Sequence, residues 1–541
     1  LPPRAADGDD PNLVSASERG ADRVPVIVAS GQCLERTELV NPVDLMARAC
    51  DSAFALAPRL RDRVDRLTVV DVMTKVGPGP ATELARRTGM TPTNCEVTTV
   101  GGNTPQWLVN RAASEIAEGS LSVTVIAGAE AIRSSRARRA AGLPRDVGAD
   151  LPPDPIVGDD LPGVGPAETA IGLMAPVHVY PLFESVVAAR AGHTAVEHRR
   201  VIGDLFAPFT EVAARHPTAW FPEVRSAAEI ATPARDNRIV AEPYTKLMTA
   251  FLGSDQGAAL VVCSLAAARE AGVADRAVFV WSGAEATDVR FPTARPDPGR
   301  SPAIAAAGRA LFEAASVGID DVSLLDLYSC FPSAVELGAE ALGLATDDAR
   351  GLTVTGGLPY FGGPGNNYVT HSIATMTDLL REAGTAGSGG SSGSAPTLGL
   401  VTGLGWFITK HALGLYGTEP PPHGFRRGDT AADQKAIDAS AVDVALGVEA
   451  GAGPNADPGT AVAATATRAT ATVIAATVIR DHDGAATGAP VIARMLDGRH
   501  VAAAPADDDV ISAAGEQDVP GMVGTRIAVD GSPPRYRLPG T

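Results

Sequence analysis

Residues 101–131 read GGNTPQWLVNRAASEIAEGSLSVTVIAGAEA. The pair Gly101-Gly102 marks a turn, TPQWLVNRAASEIAEGS (104–120) carries apolar residues at helical spacing, and SVTVIAGAEA (122–131) is an apolar run of strand length. The unit is therefore glycine turn, amphipathic helix, buried strand. Upstream, RVPVIVASGQ (23–32), PVDLMARACDSAFALA (42–57), LTVVDVM (67–73) and ATELARRTG (81–89) alternate β-branched runs with helical ones. That rhythm predicts an α/β fold.

The pattern returns late in the chain. DVSLLDLY (321–328) echoes RLTVVDVM (66–73), with Asp326 standing where Asp71 stands, Gly362-Gly363 opens a further helix from Tyr368, and TLGLVTGLGW (397–406) closes the unit. We read two related halves sharing a core, with two unrelated α/β units in series as the plainer alternative. Between them, Ile132 to Gly253 is rich in Arg, His, Pro and aromatics and poor in strand signal, as a lid-like insertion would be. The boundaries follow: 24–275 for the N-terminal half with its insertion at 132–253, and 276–416 for the C-terminal half. GTAGSGGSSGSAP (384–396) reads as a surface connection and 417–437, which contains GTEPPPHGFRRGD, as an interdomain linker. Residues 438–541 contain ATATVIAATVIRDHDG, APVIARMLDGRHVAAAP and GTRIAVDGSPPRYRL, strands joined by Asp-Gly turns. A small antiparallel β-barrel is expected there, since closure removes exposed edges.

The chain of 541 residues carries 63 acidic against 45 basic side chains, and this balance argues against tracking nucleic-acid phosphates. No run of residues is long and apolar enough to span a membrane, and the opening LPPRAADGDDPNLV lacks the order of a secretory signal, so a cytoplasmic location is expected. Cys33, Cys50, Cys95, Cys263 and Cys330 are odd in number and far apart, which disfavours disulfides and a zinc site alike. No Walker loop or GxGxxG occurs, and the lone GLG at 403–405 is too short to hold a dinucleotide. Neither a metal nor a nicotinamide cofactor is expected.

Four stretches in order, GGNTPQWLVNRAASEIAEGSLSVTVIAGAEAI, LGSDQGAALVVCS, LLDLYSCFPSAVELGAEALGL and TVTGGLPYFGGPGNNY, resemble landmarks of the thiolase superfamily. They are most similar to its sterol-carrier-protein-type and thiolase-like branches, acetyl-CoA acetyltransferases in the wider sense. The resemblance covers about residues 24 to 416 and not the tail. It implies a duplicated, layered αβαβα fold, acyl-coenzyme A as ligand held through the insertion, and a dimer, with a monomer as the alternative if the tail covers the pairing surface.

Thiolase chemistry needs a thiolate to take the acyl group, a His to activate it, a second Cys as acid and base, and oxyanion holes. In the resemblance these roles fall on Gly101, Gly363, Gly403 and Tyr328, the first counted back from Gln106 and the others read in GGP, GLG and YSCF. All four positions therefore differ from the family's pattern. The backbone amides of Gly101 and Gly405 remain candidates for holding a thioester oxygen.

Cys330, two residues past Tyr328, is a candidate substitute nucleophile or a packing residue. His371 and His411 are candidate bases or helix-core histidines, and Tyr328 is a hydroxyl donor or a filler of volume. For coenzyme A binding the resemblance points to His178 in HVYPLFES, to Phe331, and to Lys246 and Gly253 in NRIVAEPYTKLMTAFLGSDQG. Arg133, Arg136, Arg138 and Arg139 are candidates for its phosphates or a solvated helix face.

The function expected is a thiolase-like protein that binds coenzyme A or acyl-CoA without standard thiolase activity. The alternative is an active acyltransferase or condensing enzyme of lipid or sterol side-chain metabolism working through non-standard residues. A third reading is a scaffold whose barrel recruits a protein partner.

Overall fold

The computed structural model describes residues 22–387, 396–448 and 468–540. The reading of residues 1–14, the middle of the 384–396 tract, and 449–467 of the tail lie outside the described residues.

Ten strands lie side by side in one sheet, in the order Val322–Asp326, Leu398–Gly405, Lys410–Gly417, Val278–Thr287, Pro25–Leu34, Asp255–Ser264, Val123–Ala131, Arg66–Val69, Asn94–Thr98 and Ile156–Val157. Most of these strands are apolar along their whole length because both faces are covered. Alternation along one strand sorts the covers. In Asp255–Ser264, Leu260 and Val262 join the core that holds the helices Thr104–Glu118, Pro302–Ala315 and Tyr368–Gly387, whereas Ala259, Val261 and Cys263 join the one under Pro42–Leu56 and Pro80–Thr88.

Local signals set the helix ends. Asn41 and Asp44 exchange side-chain and backbone hydrogen bonds across the first turn of Pro42–Leu56. Thr104–Glu118 carries Pro105 in its first turn and stops at the left-handed Gly119.

The insertion leaves and re-enters at one spot. Val123–Ala131 pairs antiparallel with Asp255–Ser264, and Ala131 faces Asp255 in the ladder. Everything between is an excursion from one end of two neighbouring strands, built on the helices Pro176–Ala191 and Ala195–Arg215.

The tail forms a closed barrel in the order Ala469–Ala476, Val491–Met495, His500–Pro505, Arg535–Arg537, Arg526–Asp530. Its ladders are antiparallel except His500–Pro505 with Arg535–Arg537, which is parallel. Asp497-Gly498 and Asp530-Gly531 make the turns, with Gly498 at φ 89° and Gly531 at φ 86°. The stretch read as a linker is tied to the sheet: Arg426–Arg427 pairs with Val278–Thr287, and Ala431–Ala439 is a helix. No helix among the described residues is long and apolar enough to cross a membrane.

Barrel and insertion are stitched together. Ile479 pairs with Ala241, joining the tail to the insertion in a four-stranded sheet. The buried Glu242 carboxylate binds Arg199 at 2.8 Å and Arg480 at 3.0 Å, one cation from each side of the junction. The Ala476 amide also donates to Ser185 Oγ at 3.0 Å, and the Ala195 amide to Asp518 Oδ1 at 2.7 Å. Removing one partner of a buried ion pair strands the others, at a cost of about 3 kcal/mol. Glu242→Ala should therefore lose about 3 kcal/mol of stability in urea unfolding; an unchanged midpoint would show that the junction contributes nothing.

Candidate functional site

The turn after Asn94–Thr98 brings Gly101 against Asn103, Lys410 and Asn366. Its carbonyl accepts from the Thr104 amide at 3.0 Å and from Thr104 Oγ1 at 2.8 Å, which fixes the start of the helix Thr104–Glu118. Its amide donates to Asn366 Oδ1 at 3.0 Å. That corrects one expectation: the Gly101 N–H is taken by Asn366 and is not left to hold a thioester oxygen. Asn366 is fixed in turn by Asp71, whose carbonyl and carboxylate both accept from its Nδ2.

Three glycines close on Asn103. A Cβ at Gly101 would lie 2.5 Å from Asn103 Oδ1, one at Gly405 would lie 2.4 Å from the same oxygen, and one at Gly403 would lie 3.0 Å from Asn103 Cα. A Cβ at Gly102 would stand 2.3 Å from the Tyr328 hydroxyl. The structure thus brings Gly101, Gly403 and Tyr328 together. Gly363 stands on the loop that carries Asn366, and its amide donates to Phe251 O at 2.8 Å.

Tyr328 fills space. It is buried, its ring meets Tyr368 edge-on with centroids 5.7 Å apart, and burial holds its hydroxyl well above the usual phenol range. Cys330 is buried, and desolvation pushes its thiol up to about 12. His371 lies on the helix Tyr368–Gly387 with Nδ1 2.8 Å from Gln32 Oε1, and burial pushes it down to about 3. It is a neutral core imidazole.

His411 corrects a second expectation. It stands on a strand, Lys410–Gly417, because that run pairs on both sides, and its Nε2 lies 3.0 Å from Asp288 Oδ2.

Lys410 was not singled out by the sequence. Its Nζ donates to Val100 O at 2.7 Å and Asp159 O at 3.3 Å, and a Cβ at Gly101 would lie 3.1 Å from it. Desolvation lowers its affinity for a proton, partly offset by Asp159. A lone lysine opening the apolar strand KHALGLYG is the signal that was there to read. It lines a cavity of about 220 Å³ with His411, Thr99 and Asn103. Thr99 Oγ1 and Asn103 Oδ1 have no hydrogen-bond partner among the described residues, so a water or a polar ligand group is needed there.

The residues expected to bind coenzyme A lie in the insertion and at the start of Pro332–Leu342. His178 is half-buried in the first turn of Pro176–Ala191, and burial lowers its proton affinity. Phe331 stacks on Tyr180 with centroids 4.4 Å apart and on Tyr244 at 5.8 Å. Lys246 is exposed; Gly253 is buried, and a Cβ there would meet Arg136 at 3.2 Å. Arg133 and Arg138 are committed to Asp255 and Asp146, whereas Arg136 and Arg139 border a cavity of about 530 Å³ shared with Lys75 and Arg145.

A buried group from three helices also went unread: Glu184, His198 and Glu336. His198 Nε2 lies 2.5 Å from Glu184 Oε1, and Glu184 Oε2 accepts from the Tyr244 hydroxyl at 2.5 Å. Desolvation, and next the Glu184 charge, hold Glu336 well above the usual carboxylate range. No local spacing announces the group, because each ligand atom comes from a different helix.

The chain has a thiolase-superfamily fold with an additional C-terminal β-barrel. The solved structure of a monomeric SCP2-thiolase like protein type 1 (STLP1) from Mycobacterium smegmatis is similar to it at TM-score 0.77 and 29% identity, over 96% of this chain and 99% of that one. An Ltp2-ChsH2(DUF35) aldolase matches at TM-score 0.56 and 19% identity over 74% of this chain and 99% of that one. An acetyl-CoA acetyltransferase from Syntrophomonas wolfei matches at TM-score 0.50 and 14% identity over 73% and 99%. No protein-family model and no curated protein matches the chain.

A thiol at about 12 is ionised at pH 8 to only about one part in ten thousand. Cys330 should therefore resist iodoacetamide in the native protein at pH 8 and react fully in urea, as read by peptide mass spectrometry. Rapid native labelling would contradict its burial as an inert thiol.

Proposed function

We propose that this chain binds coenzyme A or an acyl-CoA and performs no thiolase turnover. The observation that carries the reading is Gly101 itself, where the resemblance calls for the acylated cysteine: it offers no side chain to acylate, its φ of 157° is one that a residue with a Cβ rarely adopts, and its amide is already bonded to Asn366. A site that lacks a nucleophile retains only binding and polarisation, which contribute far less than covalent catalysis. Against acyl transfer by two of the candidate substitutes stand the raised thiol of Cys330 and the depressed imidazole of His371.

In this reading the pantetheine arm runs past His178 and Phe331, with Lys246 and Gly253 along its path. The guanidinium groups of Arg136 and Arg139 face the phosphates, as planar forks suit phosphate oxygens. The duplicated, layered arrangement of the two halves belongs to the same proposal. It is supported by the contact between Thr104–Glu118 and Tyr368–Gly387, two helices of one core cluster, as a shared middle layer would have them. The barrel braces the insertion through Glu242. We read the chain as a monomer, the state named for the similar STLP1 structure, and as cytoplasmic, in keeping with its five free cysteines.

Calorimetric titration with coenzyme A tests this directly. Saturable heat is expected, weakened about tenfold, or about 1.4 kcal/mol, by the double variant His178→Ala, Lys246→Ala. Absence of heat with folded protein sinks the binding claim. A thiolysis rate with acetoacetyl-CoA above that of a buffer control sinks the claim of no turnover.

A further inference from the structure

The Glu184, His198 and Glu336 side chains come from the helices Pro176–Ala191, Ala195–Arg215 and Pro332–Leu342, so they join the insertion to the C-terminal half. Their candidate ligand atoms lie within 4.8 Å of one another, and all three residues are buried, at 0%, 1% and 8% exposure. Two carboxylates in a dry site repel each other and lose their hydration, so either a cation stands between them or one of them keeps its proton. The nearest candidate, His198, is a single imidazole 3.8 Å from Glu336 Oε2. No N–H or O–H group among the described residues donates to Glu336 Oε2; the neighbour this carboxyl meets is the Glu184 carboxyl.

We propose that Glu184, His198 and Glu336 form a structural site for a divalent first-row cation of the zinc type. Two ionised carboxylates beside a neutral imidazole carry the two negative charges that a dication neutralises, and oxygen and imidazole nitrogen are ordinary ligands of zinc. The outer contacts suit that role. His198 Nδ1 lies 3.3 Å from His193 Nδ1, which holds that ring nitrogen, while Nε2, 2.5 Å from Glu184 Oε1, would exchange that contact for the ion. The Tyr244 hydroxyl donates to Glu184 and lies 2.9 Å from Ser333 Oγ, which orients the carboxylate from the opposite side. A cation here clamps three helices beneath Phe331, because Tyr244 also stacks on that ring. The alternative occupant is a proton shared between the two carboxyl groups.

Elemental analysis of the purified full chain, stripped with a chelator and reloaded with zinc alone, distinguishes the two. The expected result is one equivalent of zinc retained through gel filtration, a higher thermal midpoint in the loaded protein, and visible absorption on substitution with cobalt. Glu336→Gln keeps the shape and supplies its own amide hydrogens, so it should fold with a native circular dichroism spectrum and bind zinc at least about tenfold more weakly. Folded wild-type protein that takes up no zinc and shows no midpoint shift overturns the proposal. So does a Glu336→Gln variant that binds zinc as tightly as wild type. A variant more stable than metal-free wild type, with no metal bound by either, assigns the pair to a shared proton. None of these readouts involves coenzyme A, so they stand or fall apart from the ligand reading.

Discussion

The three glycines that close on Asn103 set the limits of the site. Gly101 arrives from the turn before the helix Thr104–Glu118, and Gly403 and Gly405 from the strand Leu398–Gly405, so parts of the chain distant in sequence press on one side chain. Interiors are packed to near-crystalline density, and a would-be Cβ 2.5 Å from Asn103 Oδ1 would have to displace that side chain. A reactive side chain at Gly101 would require the turn, the strand or Asn103 to move. The Asn366 bond to the Gly101 amide and the Asp71 bonds to Asn366 hold that turn where it is.

The same economy of space explains the neighbours. Tyr328 occupies the room beside Gly102, its backbone amide held by Thr402 Oγ1 at 2.9 Å and its ring packed edge-on against Tyr368. Tyr180 packs on Phe331 and donates to Trp406 O at 2.7 Å, which pins the tight turn between Gly405 and Lys410. Lys410 then reaches under that turn to the Val100 carbonyl. The proposed absence of turnover is thus a matter of packing as much as of missing reactive groups.

The fold was largely legible because strands buried on both faces leave continuous apolar runs, such as AALVVCS in Asp255–Ser264 and VTVIAGAEA in Val123–Ala131. The barrel was legible through its turns, since Asp497-Gly498 and Asp530-Gly531 need a positive φ that glycine adopts without strain. His411 was misplaced because a short apolar run such as KHALGLYG has no period that separates a buried strand from a buried helix. The link between Ile479 and Ala241 was invisible: it rests on very short strands brought together only by the tertiary fold. The same holds for Lys410 against Val100 and for Glu184 with His198 and Glu336, whose meaning is carried by distance in space and by nothing in their local spacing.

The central claim is that a thioester can rest in this cleft with no group placed to attack it. Intact-protein mass spectrometry after incubation with an isotopically labelled acyl-CoA tests that most directly. The account predicts an unmodified mass under denaturing conditions, and ligand mass only under native ones. A stoichiometric acyl adduct that survives denaturation, mapped to any residue lining the cleft, would contradict it.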